Sequence, residues 1–232
     1  MGAGMLAVLA LGGCDKAPEP ARAPAGEAVS TVSSADSGPA VQGPARRIVA
    51  LGDSLLAGYG LRPEQAYPPR LEAALRAQGI DARVVNAGVS GDTTADGLAR
   101  VDFTLGPAGT GAAPDLVLVS LGGNDMLRGL PVAQTKANLD ALLGKMDQRH
   151  VKVVLLGMMA APNMGAEYGK AFDAIFPDLA RKHHAALVPL FVSAINGKAG
   201  LQLPDHIHPT PRGVEAMVTD TLPVVEGALP KG

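Results

Sequence analysis

Five short runs of apolar, often β-branched residues recur along the chain, at about residues 46–52, 82–86, 115–121, 151–157 and 186–190. Runs of that length, bounded by glycine, proline or polar clusters, predict β-strands. Between them, apolar positions repeat at helical spacing. Leu71-Glu72-Ala73-Ala74-Leu75-Arg76-Ala77 predicts a helix that Gly79 stops, and Thr93 or Thr94 can cap a second helix reaching about Phe103. Further helices are predicted at about 132–149, 166–183 and 211–226. Pro177 should kink or split the second of these, and Pro211 suits the first turn of the third. The run from Asp115 to Leu121 lacks polar alternation, as a central parallel strand covered on both faces should. Strands alternating with helices predict an α/β fold of three layers, with a central, mostly parallel five-stranded sheet joined by right-handed crossovers. No internal repeat is visible.

Ahead of the first strand the pattern changes. Residues 1–13 form an apolar run too short to span a bilayer, placed where the hydrophobic part of a signal peptide belongs. It ends in Leu11-Gly12-Gly13-Cys14, which resembles the bacterial lipoprotein box, although no Lys or Arg precedes the run. The resemblance makes Cys14 a lipid anchor, and Asp15 after it is the residue that tends to retain such proteins at the inner membrane. From 15 to 45 the chain is rich in Ala, Pro, Ser and Gly without sustained periodicity, and reads as a flexible tether. The folded domain is expected from 46 to 232.

Composition removes several classes of partner. A net charge of −2 and the absence of any basic patch exclude the electrostatic footprint of a nucleic-acid binder. With 3% aromatic residues and no Trp, a sugar- or base-stacking platform is disfavoured. The lone cysteine, Cys14, excludes an internal disulfide framework.

Polar clusters interrupt the pattern where strands end or in late loops: Gly52-Asp53-Ser54-Leu55, Gly88-Val89-Ser90-Gly91-Asp92, Gly122-Gly123-Asn124-Asp125 and Asp205-His206-Ile207-His208-Pro209. In open α/β sheets the ligand crevice lies at the carboxyl ends of the strands, so Ser54 is placed to face a substrate. Asp53 or Ser54 could equally serve only as a helix N-cap. The other clusters decide between these uses. A serine hydroxyl is a weak nucleophile until a base takes its proton, and that base needs an orienting partner, roles that His208 and Asp205 can fill. A glycine N–H and a side-chain amide, here Gly91 and Asn124, would hold an oxyanion. Asp205, His206 and His208 also have the chemistry of metal ligands, but no further His or Cys cluster completes a site. His206 reads as a loop residue, and His150, His183 and His184 as helix-end residues. Met158 and Met159 read as core or pocket lining, and Tyr59, between Gly58 and Gly60, has no assigned role.

In that order the clusters resemble the sequence blocks of the SGNH hydrolases, also called GDSL lipases or esterases. The resemblance covers about 46–228 and is nearest the bacterial periplasmic acyl-CoA thioesterase, lysophospholipase and arylesterase group, through Gly-Asp-Ser-Leu-Leu-Ala-Gly-Tyr, Val-Val-Asn-Ala-Gly-Val-Ser-Gly-Asp-Thr and Leu-Gly-Gly-Asn-Asp. It implies a flavodoxin-like sheet, with Ser54 as nucleophile, His208 as base and then acid, and Asp205 as its partner. The implied oxyanion donors are the Ser54 and Gly91 N–H groups and the Asn124 carboxamide. Asp53 then holds the turn, while Asp125 and Asp92 support the loops of Asn124 and Gly91. The implied activity is hydrolysis of carboxylic esters, such as aryl esters or lysophospholipids, or of acyl thioesters, through an acyl-enzyme and without a cofactor or metal. The alternatives are an O-acetylesterase acting on cell-wall or polysaccharide sugars, and a binding module that has lost the chemistry. The expected enzyme is a periplasmic monomer with a small-molecule or lipid ester as substrate, meeting the membrane only through a lipid on Cys14, or a soluble periplasmic or secreted protein if that box is not used.

Overall fold

The computed structural model describes residues 1, 41–106 and 113–230. Five strands, β1 (Gln42–Gly52), β2 (Ile80–Gly88), β3 (Leu116–Ser120), β4 (Lys152–Leu156) and β5 (Ala186–Val188), form one sheet in the order β2-β1-β3-β4-β5. Every pairing is parallel. The helices are α1 (Ser54–Ala57), α2 (Tyr67–Ala77), α3 (Thr94–Leu105), α4 (Gly123–Leu127), α5 (Val132–Gln148), α6 (Ala166–Asp173), α7 (Ile175–Lys182) and α8 (Pro211–Ala228). α2 packs with α8 and α3 with α5, and these helices flank the sheet to make the three layers. Ile48 to Leu51, Leu116 to Val119 and Val154 to Leu156 are completely buried, the state their unbroken apolar runs predict for central parallel strands.

The strand order reverses direction between β1 and β3. In an open α/β sheet that reversal opens a crevice at the carboxyl ends of the two strands, because their crossovers leave to opposite sides. The β1–β3 register ends with Gly52 beside Ser120, so Ser54 and Asn124 emerge at the two lips of one crevice.

Differences from the predicted elements have local causes. β1 starts at Gln42, inside the stretch expected to be tether, because its first residues pair through the backbone alone. The Gln42 N–H donates to the Gly79 carbonyl at 2.7 Å, and the register shifts before Arg46, leaving no apolar pattern to read. The lipobox-like segment with Cys14, and the tether as far as residue 40, lie outside the described residues. Pro177 does split the predicted helix, but the break falls earlier, at Ala174. A proline at 177 cannot donate to the carbonyl at 173, so the first helix ends at Asp173 and Pro177 falls in the first turn of the next, where no donor is needed. His183 does more than end α7: its ring nitrogens bridge Asp140 and Asp147 of α5 at 2.7 and 2.6 Å. His150 and His184 take left-handed φ of 55° and 51° just beyond α5 and α7, the conformation in which many helices stop.

Candidate active site

Ser54 is the first residue of α1, and Asp53 before it is the N-cap, whose Oδ1 accepts from the Leu55 N–H at 3.1 Å. The Asp53 N–H donates to the Ser120 carbonyl, which fastens the end of β1 to β3 and turns the chain sharply outward. The cap and the half-buried serine are therefore neighbours in one device. Asp53 is 3% exposed. Burial pushes its carboxyl up from the ordinary 3.8 to about 6, against the opposing pull of the Leu55 amide.

The loop before α8 brings the histidine across. Its turn is fixed by backbone bonds from the His206 N–H to the Leu203 carbonyl (2.9 Å) and from the Leu203 N–H to the His208 carbonyl (2.7 Å). His206 takes a left-handed φ of 60°, and its carbonyl accepts from Gln202 Nε2 at 2.8 Å, so its backbone shapes the loop, as a loop residue's should. Asp205 Oδ1 accepts the Ile207 and His208 N–H groups at 2.9 and 3.0 Å, and Oδ2 lies 2.7 Å from His208 Nδ1. Burial raises the Asp205 carboxyl, but these amide bonds and the imidazole outweigh it and hold the group down at about 2. An ionised carboxylate only accepts, so Nδ1 carries the hydrogen and Nε2 presents its lone pair. Nε2 lies 2.8 Å from Ser54 Oγ. A base, its orienting carboxylate and a hydroxyl thus stand in hydrogen-bonded line, from residues 154 apart in sequence.

The other lip is built by Gly91 and Asn124. Gly91 has φ 90°, which a glycine adopts without strain, within a turn closed by the Asp92 N–H donating to the Val89 carbonyl. Three side chains pin this turn. Asn124 Nδ2 donates to the Asp92 carbonyl (2.9 Å), Arg128 Nη2 to the Gly91 carbonyl (2.8 Å), and Arg100 joins the Asp92 carboxylate (2.6 Å) to the Gly52 carbonyl (3.0 Å). Asp92 therefore supports the turn through a cation on α3. Asn124 keeps one N–H for another acceptor. Beneath it, buried Asp125 accepts from the Thr94 N–H (2.8 Å), Thr94 Oγ1 (2.5 Å) and Thr135 Oγ1 (3.3 Å), locking α4 to α3 and α5. This is the supporting role the sequence predicts for it.

Sequence reasoning missed Arg100 and Arg128, because nothing in the local pattern of a helix marks which arginine reaches a distant carbonyl. It also left Tyr59 without a role, yet the Tyr59 ring lies against the His208 imidazole, centroids 4.4 Å apart. A cavity of about 310 Å³ opens against Leu55, Gly123 and Ile207, the chain neighbours of Ser54, Asn124 and His208, and is walled by Met126, Met158 and Phe191 among others. Met158 and Met159 both line it. Among the described residues no group of three or more His, Cys, Asp or Glu side chains is placed to hold a metal ion.

A family model described as the GDSL-like Lipase/Acylhydrolase family matches residues 50–216. The chain is 37% identical to Esterase TesA of Pseudomonas aeruginosa over 188 residues, 81% of this chain and 92% of that protein. It is 35% identical to Thioesterase 1/protease 1/lysophospholipase L1 of Escherichia coli over 173 residues, 75% of this chain and 79% of that one. Among solved structures, AlinE4, described as an SGNH-hydrolase family esterase, superposes with a TM-score of 0.67 at 49% identity, covering 82% of this chain and all of that one.

Proposed function

The chain belongs to the GDSL-like lipase/acylhydrolase family and is a serine ester hydrolase, and from that premise we propose that Ser54, His208 and Asp205 are its catalytic triad. The observation that carries this is the hydrogen-bonded line from Asp205 Oδ2 through the His208 ring to Ser54 Oγ, at 2.7 and 2.8 Å. His208 takes the hydroxyl proton as Ser54 attacks the acyl carbon. The Ser54 and Gly91 N–H groups and the free Asn124 N–H receive the oxyanion. The protonated ring then gives its proton to the departing alcohol or thiol, and the same ring activates the water that frees the acid.

The substrate class is a carboxylic ester or acyl thioester whose acyl part is apolar. Aryl esters and lysophospholipids fall within it, and the names thioesterase and lysophospholipase borne by the E. coli relative support it. The cavity against Leu55 and Ile207, the chain neighbours of Ser54 and His208, is walled mainly by Leu, Met, Phe and Ile side chains, together with Asn196, Gln202 and His206, and measures about 310 Å³, the lower end of the ~300–1,000 Å³ usual for small-molecule sites. That size favours short to medium acyl chains over long ones. The apolar run ending at Cys14 supports export to the periplasm with a lipid on that cysteine; no helix among the described residues is long and apolar enough to cross a membrane.

A series of nitrophenyl esters from acetyl to decanoyl tests both parts. The wild-type enzyme should peak at short to medium chains and be labelled at Ser54 by a fluorophosphonate. Ser54→Ala should abolish labelling and lower turnover by about 10⁴-fold or more, the scale seen when a triad nucleophile is removed. Near-wild-type turnover by folded Ser54→Ala would remove the triad assignment, and a steady rise to decanoyl would remove the chain-length reading.

A further inference from the structure

Tyr59 lies on the loop leaving the nucleophile helix, and the architecture around it is directed at one contact. Its backbone N–H donates to the Ser54 carbonyl at 3.2 Å, so it is tied to the residue that bears the hydroxyl. Before it, Gly58 has φ 85°, and a Cβ there would sit 2.6 Å from the Ala66 Cβ. After it, a Cβ at Gly60 would sit 2.9 Å from the Leu203 side chain, and Leu203 donates its own N–H to the His208 carbonyl. The loop is wedged between α2 and the histidine loop, and the two sides of the site are thereby held at fixed spacing.

The wedge delivers the Tyr59 ring onto the imidazole, centroids 4.4 Å apart and planes inclined by 34°. Tyr59 stays 53% exposed, so burial gives little reason for the placement. Its hydroxyl has no hydrogen-bond partner among the described residues, which leaves the ring face as the part that engages the site. The His208 side chain is only 14% exposed: Asp205 takes one nitrogen, Ser54 the other, and Tyr59 a ring face.

We propose that Tyr59 is a positioning residue for the general base, acting through the triad proposed above. Its ring backs the imidazole, keeps Nε2 on the Ser54 hydroxyl, and stabilises the positive charge the imidazole gains in the reaction. In that step the Ser54 O–H bond breaks, the Nε2–H bond forms, Oγ bonds to the acyl carbon, and the carbonyl π pair moves onto oxygen. An aromatic face attracts an imidazolium more than a neutral imidazole, so the contact strengthens as the transition state is approached. An interaction that is stronger there than in the ground state raises kcat and leaves substrate binding alone.

The test compares Tyr59→Phe with Tyr59→Leu on two esters that share an acyl group and differ in their alcohol. Phenylalanine keeps the ring face, and kcat should stay within about twofold of wild type. Leucine should lower kcat by roughly 2- to 30-fold, the span of cation–π contacts from exposed to desolvated sites, with KM nearly unchanged and the same factor on both esters. In a His208→Ala background, Tyr59→Leu should add no further loss, because the group it acts on is gone. A rise in KM at constant kcat, or a factor that follows the alcohol, would make Tyr59 a substrate contact and overturn the proposal; equal losses with Phe and Leu would overturn it by assigning the effect to the hydroxyl. Fluorophosphonate labelling of the wild type separates the two layers. Without labelling at Ser54 the triad reading falls and takes this proposal with it. With labelling, and with Tyr59→Leu as fast as wild type, only the role of Tyr59 falls.

Discussion

Asp53 offers a prediction whose sign and size both come from its surroundings. It is a carboxylate beside Ser54, 3% exposed, with its carboxyl raised to about 6 chiefly by burial. Unfolded, the same group titrates near 3.8. The folded chain therefore holds this proton more tightly than the unfolded chain does. The stability this gives is full below about pH 3.8 and is lost as pH rises through 6. Above that, the buried charge costs the difference between the two values, about 2 pK units or roughly 3 kcal/mol. Asp53→Asn keeps the shape and leaves Oδ1 to accept from the Leu55 N–H, but it cannot ionise. It should therefore be more stable than wild type by ~3 kcal/mol at pH 8 and by only ~1 kcal/mol at pH 4.5. For a domain of this size that is a gain in Tm of about 6–12 °C at the higher pH. Urea melts of both proteins at the two pH values measure it. A stability difference that does not grow between pH 4.5 and pH 8 would refute the reasoning, because it would show that the charge on Asp53 costs nothing on burial.

Two further substitutions test how the oxyanion side is assembled. Asn124→Ala removes one of three proposed donors and loosens the Asp92 carbonyl; kcat should fall about 10²–10³-fold while KM moves little, and a loss under fivefold in steady-state kinetics would take Asn124 out of the oxyanion site. Thr94→Val deletes the hydroxyl that donates to buried Asp125 at 2.5 Å and accepts from half-buried Asn138 at 3.1 Å, leaving Asp125 with only the Thr94 N–H and the longer Thr135 contact. The expected destabilisation is about 2–3 kcal/mol in denaturant melts, and a change below ~0.5 kcal/mol would show that the Asp125 network does not hold α4 in place.

How much of this was legible in the chain depends on the range over which each feature is encoded. The central strands were, because Ile48 to Leu51 and Leu116 to Val119 are buried on both faces and leave no polar position in the run. The first residues of β1 were not, since Gln42 joins the sheet by its backbone and its side chain carries no signal. Ser54, His208 and Asp205 were legible as residue types at chain breaks, but their meeting is tertiary: the 2.8 Å contact joins positions 154 apart. Once the loop folds, Asp205 and His208 are paired by sequence alone, three positions apart and bound through both the backbone and the ring.

The residues that sequence could not reveal share one property: each acts through a partner that is remote along the chain. Arg128 reaches the Gly91 carbonyl 37 positions away, and Arg100 reaches Gly52 across 48. Tyr59 reaches His208 only because Gly58 and Gly60 let its loop press against Ala66 and Leu203. A nucleophile and a base can be read from the chemistry each must possess. The groups that aim them need only a shape and a donor, which many residues have, so their work becomes visible when the fold shows what they touch. In this chain that division falls within a single short stretch. Ser54 is legible from its motif, Asp53 from its capping chemistry, and Tyr59, five positions after Ser54, only from the imidazole it covers.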